Sequence, residues 1–175
     1  MPITQFEILV AALPVVFMIH DFEEIIFFKP FLRSKGEYLR NRFPILAEKF
    51  LSHYDGISTS AYALAVAEEF LIISAGTFYS IITRNFYPWF CLYVVFSIHL
   101  IIHIVQWIAI RIYVPTIITS FLSLPYCVYV LMSMSPHFQP TILGIILSIG
   151  IGVPLIFINL VWIIGAVKKI EYIKD

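Results

Sequence analysis

The chain has 175 residues, 61% of them hydrophobic, 17% aromatic and only 13% charged, with zero formal net charge and a mean hydropathy of +0.94. An ordinary soluble domain is about 45–50% apolar and about 25% charged, so the composition excludes that class and points to an all-α, polytopic transmembrane bundle, a single integral-membrane domain over 1–175. The charge balance excludes an electrostatic footprint for nucleic acid, and the isolated cysteines Cys91 and Cys127 form neither a CxxC pair nor a disulfide framework.

A spanning helix takes roughly 20 mostly apolar residues, and the sequence predicts five spans, at about 3–28, 58–82, 86–110, 114–134 and 141–164. Helix is forced in lipid, which offers no partner for free backbone groups, and the continuous apolar runs do not alternate as barrel strands would. The first run has no basic segment before it and carries a His/Glu cluster, which favours a retained helix over a cleaved signal peptide. Between the first two spans, residues 29–57 read as a cytoplasmic amphipathic loop in which Phe31, Leu39, Phe43, Leu46, Phe50 and Leu51 interleave with basic residues. Pro44 suits the first turn of a short helix there, Ile45–His53. His53, and His137 in the turn Ser135-Pro136-His137, read as ordinary polar residues, and Pro115, Pro125 and Pro154 as shapers of the last two spans.

Orientation follows from the basic residues. With five spans, Lys29, Arg33, Lys35, Arg40, Arg42, Lys49, Arg111, Lys168, Lys169 and Lys174 fall on one side and Arg84 alone on the other. The positive-inside rule makes the crowded side cytoplasmic, with the N-terminus outside and the C-terminus inside. The expected setting is the cell membrane, as a multi-pass protein whose first partner is the lipid bilayer.

Polar residues inside the spans carry the functional signal. The first span contains His20-Asp21-Phe22-Glu23-Glu24, the second Glu68 and Glu69, the third His99, His103 and Gln106, and the fifth Asn159. A charge at a helix centre costs roughly 2.5–3.5 kcal/mol on insertion scales, so such residues face a bundle interior and mark functional sites. They also share a depth. Measured from the cytoplasmic ends of their spans, His20 lies at ~12 Å, Glu24 at ~6 Å, Glu68 and Glu69 at ~15 Å, His99 at ~16 Å and His103 at ~10 Å. His20 with Glu23 and Glu24, and His99 with His103 and Gln106, follow one-face helical spacings. Ala61, Ala65 and Glu68 form a small-residue packing stripe. Asp21, nearly opposite Glu23 on the wheel, is expected to contact loop cations such as Lys29 or Arg33.

The inventory His20, Glu23, Glu24, Glu68, Glu69, His99 and His103 is a set of metal ligands. Imidazole and carboxylate suit zinc, iron or manganese, and the lack of thiolate disfavours soft metals. An i, i+4 histidine pair is the helical chelate of zinc hydrolases, and di-iron bundles pair carboxylates with histidine one turn away. The H-x-x-E-H pattern fails, because Glu24 stands where its second histidine would be. Four carboxylates cannot all ionise in one dry pocket without a cation.

The motif His20-x-x-Glu23-Glu24, the segment Ala65-x-x-Glu68 with Glu69, the pair His99 and His103, and the turn Tyr113-x-Pro115 together resemble the HXXEE family of multi-pass membrane proteins over about residues 15–125. The resemblance implies no established activity; it implies that the opening cluster defines the family. Glycine is expected after the turn proline, where this chain has Thr116.

The reading that follows is a membrane-embedded metal-dependent enzyme acting on a lipid-soluble small molecule. In a mononuclear zinc version His20, His99 and His103 with one glutamate hold the ion, and Glu24 or Glu69 acts as catalytic base on activated water. In a two-ion iron version Glu23, Glu24, Glu68 and Glu69 bridge or terminate the metals and the chemistry is oxidative. The alternative is a proton- or ion-coupled transporter with the His/Glu cluster as relay; no inverted repeat or broken-helix pair supports it, although a homodimer would supply the missing symmetry. A haem or quinone protein ligated through His20 and His99 leaves the glutamates unexplained.

Overall fold

A computed structural model of the chain describes residues 4–54, 56–134 and 138–174, and among these all regular structure is helical. The turn holding His137 lies outside the described residues, as does Ile3, the first residue of the expected first span.

Helix α1 (Gln5–Arg42) opens on a capping box: the Glu7 amide donates to the Thr4 hydroxyl at 3.2 Å, and the Thr4 amide donates back to the Glu7 carboxylate at 2.9 Å. The reciprocal bonds satisfy two amides that a helix start leaves free. Phe6, Val10, Leu13 and Phe17, spaced three and four apart, bury one face. The helix then runs through Pro14 and Pro30 for 38 residues, about 57 Å and nearly twice the ~30 Å hydrocarbon core. Residues 29–42, expected as loop, are therefore a continuation of α1. The reason is tertiary: α2 (Pro44–Tyr54) folds back so that Phe31, Leu39 and Ala47 bury together, with Leu32, Leu51 and Ile110 against them. The expected short helix at Ile45–His53 is thus present, opened by Pro44.

Helix α3 (Thr59–Thr83) starts on the Ser58 side chain, which accepts from the Ala61 amide. Helix α4 (Tyr87–Ile110) has proline in its first turn. Both end on an arginine in the left-handed region, Arg84 at φ 59° and Arg111 at φ 61°. Helix α5 (Ile117–Ser133) begins after Thr116, whose φ is 78°. That is the position where the resemblance leads one to expect glycine, the residue that enters this region without a steric cost. The last apolar run is broken into α6 (Ile142–Leu147), a π-helical turn at Ser148–Gly152, and α7 (Val153–Lys174). The expected single span at 141–164 thus carries an interruption and continues further. Pro154 cannot donate a backbone bond, and the wide turn lies immediately before it. Gly152 in that turn faces the Cys91 sulfur so closely that a Cβ would collide with it.

Among the described residues, three helical segments are long and apolar enough to cross a membrane: Thr59–Thr83, Tyr87–Ile110 and Ile142–Lys169. Helix α5 is a shorter apolar helix. Helix α1 packs against α3, α4 and α5, and α7 lies on α3. The core between them holds Phe6, Leu13, Trp89, Leu100 and Val130. Two hydroxyls tie α5 in: Tyr93 donates to the Cys127 carbonyl at 2.7 Å and Tyr126 to the Leu9 carbonyl at 2.9 Å.

Candidate metal centre

The polar residues of α1 are not on one face. At 100° per residue, Glu24 lies about 40° from His20, Asp21 about 100° in the same sense, and Glu23 about 60° the other way. They cover an arc of about 160°, and three neighbouring helices meet it.

His20 meets α4. Its ring centroid is 5.2 Å from that of His99 and 5.4 Å from that of His103, and the two α4 rings are 4.3 Å apart. One nitrogen from each of the three histidines lies within 4.8 Å of the others. His20 is fully buried and His103 nearly so.

Glu23 meets α5 and the turn before it. It accepts from the Thr119 amide at 2.8 Å, the Thr119 hydroxyl at 2.6 Å and the Tyr113 hydroxyl at 2.7 Å. Both of its oxygens accept bonds from α5 and the turn before it, and Glu23 belongs to neither group of converging ligand atoms. Tyr113 lies between α4 and α5, and burial together with this bond to Glu23 pushes its hydroxyl pKa up.

Asp21 and Glu24 meet α3. A carboxylate oxygen of each lies within 4.8 Å of a His99 ring nitrogen. They share a cavity wall with Glu69 and Tyr62. On α2 nearby, Tyr54 has its hydroxyl pushed up to about 12, by burial first and then by the Glu24 and Glu69 carboxylates. Asp21 is 2% exposed and sits in this group. The expected contact with Lys29 or Arg33 is therefore corrected. The site does not keep to one face of α1 but wraps around the helix.

Glu68 takes a separate course. It accepts from the Asn159 side chain of α7 at 2.9 Å and belongs to neither ligand group. Its neighbour Glu69, about 100° further round α3, is the carboxylate turned toward Asp21 and Glu24.

The ring protons can be followed from these bonds. Gln106 Oε1 lies 3.1 Å from His103 Nδ1. An amide oxygen only accepts, so the proton sits on Nδ1 and the Nε2 lone pair of His103 is free to accept. His99 Nε2, 3.0 Å from it, is then the donor. The Thr119 hydroxyl gives its proton to Glu23 and so accepts from His20 Nδ1 at 3.2 Å. That leaves His20 Nε2 as a lone pair, and among the described residues this buried atom has no hydrogen-bond partner. Histidines that bind metals hold the other ring N–H on a carboxylate, carbonyl or similar acceptor. Both His20 and His103 have that support, from Thr119–Glu23 and from Gln106. Thr119, Tyr113, Tyr62 and Asp21 were not among the expected site residues. For Thr119 a sequence signal existed: Thr116, Thr119, Ser120 and Ser123 place hydroxyls at three- and four-residue spacings along an otherwise apolar helix.

The chain matches the sequence family described as "Protein of unknown function with HXXEE motif" over residues 11–130. It belongs to the HXXEE family. The matched region runs from the second turn of α1 nearly to the end of α5 and contains His20, Glu23 and Glu24, both α4 histidines and Thr119. The resemblance expected over about 15–125 is borne out. No curated protein and no solved structure matches the chain. The HXXEE motif itself now has a geometric sense: its histidine faces α4, its first glutamate α5 and its second glutamate α3.

Proposed function

We propose that this HXXEE protein is a membrane-embedded metalloenzyme in which His20, His99 and His103 hold one divalent ion, zinc or iron, beside a carboxylate cluster that handles protons. The observation that carries this reading is the three converging imidazoles, with a partnerless buried Nε2 on His20 and acceptors already fixing the other nitrogens of His20 and His103. Neutral imidazoles suit borderline metals such as zinc and iron. If His99 gives Nε2 to the ion, its proton belongs on Nδ1, and Asp21 and Glu24 each bring a carboxylate oxygen within 4.8 Å of a His99 ring nitrogen. A bound divalent ion supplies Lewis acidity toward a carbonyl or a water. Glu24 and Glu69 then hold or move the proton that such chemistry displaces. This favours a hydrolytic, one-ion reading over a four-glutamate pair of irons, because Glu23 is occupied by Thr119 and Tyr113, and Glu68 by Asn159.

The same reading takes the chain as one multi-pass domain of the cell membrane with five spans. The first 24 or so residues of α1 and the whole of α5 join the three long apolar helices, with the N-terminus outside and the basic end of α1 in the cytoplasm. The cluster then lies in the cytoplasmic half of the bilayer, where a lipid-soluble substrate reaches it.

Elemental analysis of detergent-purified protein tests the site. Near-stoichiometric zinc or iron is expected, and its loss in His20→Ala and in His99→Ala. A folded preparation that neither carries nor takes up either metal would sink the reading and leave the relay of a transporter as the better one.

A further inference from the structure

The cavity beside the histidines lies between the legs of a hairpin. Helices α3 and α4 are tight at their joined ends. There Gly76 admits the Leu92 side chain so closely that a Cβ would collide with it, and the Trp89 amide donates to the Ser80 hydroxyl at 3.0 Å. Further along, the cavity separates the legs: Tyr62, Ala65 and Glu69 of α3 line it, and so do Ile102, His103 and Gln106 of α4. Helix α7 does not fill the gap. The π-helical turn before it packs on α4, with Gly152 against Cys91 and Val95. Beyond that turn α7 follows α3 instead, and the Asn159 side-chain amide donates to the Glu68 carboxylate of α3 at 2.9 Å. Phe157 and Leu160, one turn apart on α7, border the cavity.

Burial of the lining residues locates the opening. Asp21, Tyr62, Ala65 and His103 are buried and form the floor. Among the described lining residues five are exposed: Ile102 and Ala109 of α4, Phe157 of α7, and Leu46 and Phe50 of α2. All five are apolar. Against water such a rim would cost about 25 cal/mol for each Å² of apolar surface; against lipid tails that cost vanishes. Helix α4 and the stretch of α7 that holds Phe157 both belong to segments long and apolar enough to cross a membrane, so the mouth between them opens onto hydrocarbon. It extends from α2, beside the basic end of α1, to Ile102, about 12 Å of helix from the end of α4. A polar group can thus slide in from the interface without crossing the bilayer centre.

We propose that the site takes its substrate sideways from the bilayer, through a portal between α4 and α7 edged by α2. The substrate is a long-chain lipid whose polar end reaches the histidines while its chain stays in the portal and the surrounding membrane. This rests on the metal-centre reading for what happens to that polar end; the portal stands on the walls of the cavity alone. Polar floor and apolar rim together match an amphiphile, and the missing wall means that the chain need not be enclosed.

Photolabelling of the full chain, purified with added zinc and placed in phosphatidylcholine vesicles, tests it, with metal content measured on the same samples. Two lipid probes carry a diazirine midway along a chain, one a phosphatidylcholine and one a long-chain alcohol; a third diazirine is water-soluble. Adducts are mapped by mass spectrometry. At least one lipid probe should label Tyr62, which is 7% exposed, and Glu69, as well as the outward-facing Leu71 and Trp162 that serve as the internal standard. Ile102→Trp combined with Ala109→Trp, both at exposed positions, should lower the interior adducts at least fivefold against that standard. Phe157→Ala, at a residue that is 65% exposed, should raise them at least twofold. Labelling by both lipid probes confined to the outer faces overturns the proposal, as does interior labelling by the water-soluble probe alone, or interior labelling that neither folded variant changes. Metal present without interior lipid adducts defeats this inference alone; interior adducts without metal defeat the metal centre and leave the portal standing.

Discussion

Helix α1 buries charge twice, and the two places use it differently. Near its start, Glu7 is 2% exposed, yet both of its oxygens are engaged: one accepts from the Thr4 amide and hydroxyl, and the other pairs with Arg84. Arg84 reaches it from the left-handed end of α3. Four turns later, Glu23 and the outer nitrogens of His20 and His103 are equally well supplied, but the inner His20 nitrogen is not. The first place is a clasp between the ends of α1 and α3. The second has bonding capacity left over after the protein has met its own needs. Burial of a charged residue does not separate the two, since Glu7 is as buried as Asp21. What separates them is the remainder.

The sharpest way to break the comparison is His99→Ala. It removes the residue shared by both ligand groups, and bound metal should fall from near-stoichiometric to background while the thermal midpoint without added metal changes little. Thr119→Val comes next. It strips the hydroxyl that links Glu23 to His20, and losing such a support is expected to weaken metal affinity about 10–100-fold, read by competition with a chromophoric chelator. Arg84→Ala should do the converse. Leaving Glu7 unpaired costs about 2 kcal/mol of stability in denaturant titration, less than the ~3–5 of a fully buried pair because Arg84 is half exposed. Metal content should not move. If Arg84→Ala instead empties the metal site, the two clusters are one unit and the contrast fails. The smallest effect is expected from Thr116→Gly, which relieves a β-branched residue held at φ 78° and should stabilise by about 1 kcal/mol, with affinity unchanged.

Much of this arrangement was legible in the sequence because hydrocarbon makes polarity expensive. His20, Glu69, His99 and His103 stand out against apolar neighbours, and helical spacing assigns them faces. Asp21 was misjudged for a geometric reason: a reading that grants the site one face of α1 must send a residue 100° away elsewhere. Thr119 was passed over because a threonine in an apolar helix costs little and can satisfy itself on the backbone. The continuation of α1 past Pro30 was hidden by its basic residues, which look like the edge of a membrane. Only the docking of α2 on Phe31 and Leu39 explains why those residues stay helical, and packing between distant segments leaves no local mark.

Because His20, Asp21, Glu23 and Glu24 are fixed to one continuous rod, their partners are assigned by rotation as much as by identity. One extra residue between Met18 and Ile19 would leave the packing of Phe6, Val10 and Leu13 untouched and turn everything beyond it by about 100°. The motif would keep every letter and exchange every neighbour. Four extra residues would nearly restore the angle, at about 40°, but lift the cluster by about 6 Å, off the level of the α4 rings. The chain is thus expected to bear side-chain replacement in this stretch of α1 better than any change of length, with phase as the quantity that its five-letter motif encodes.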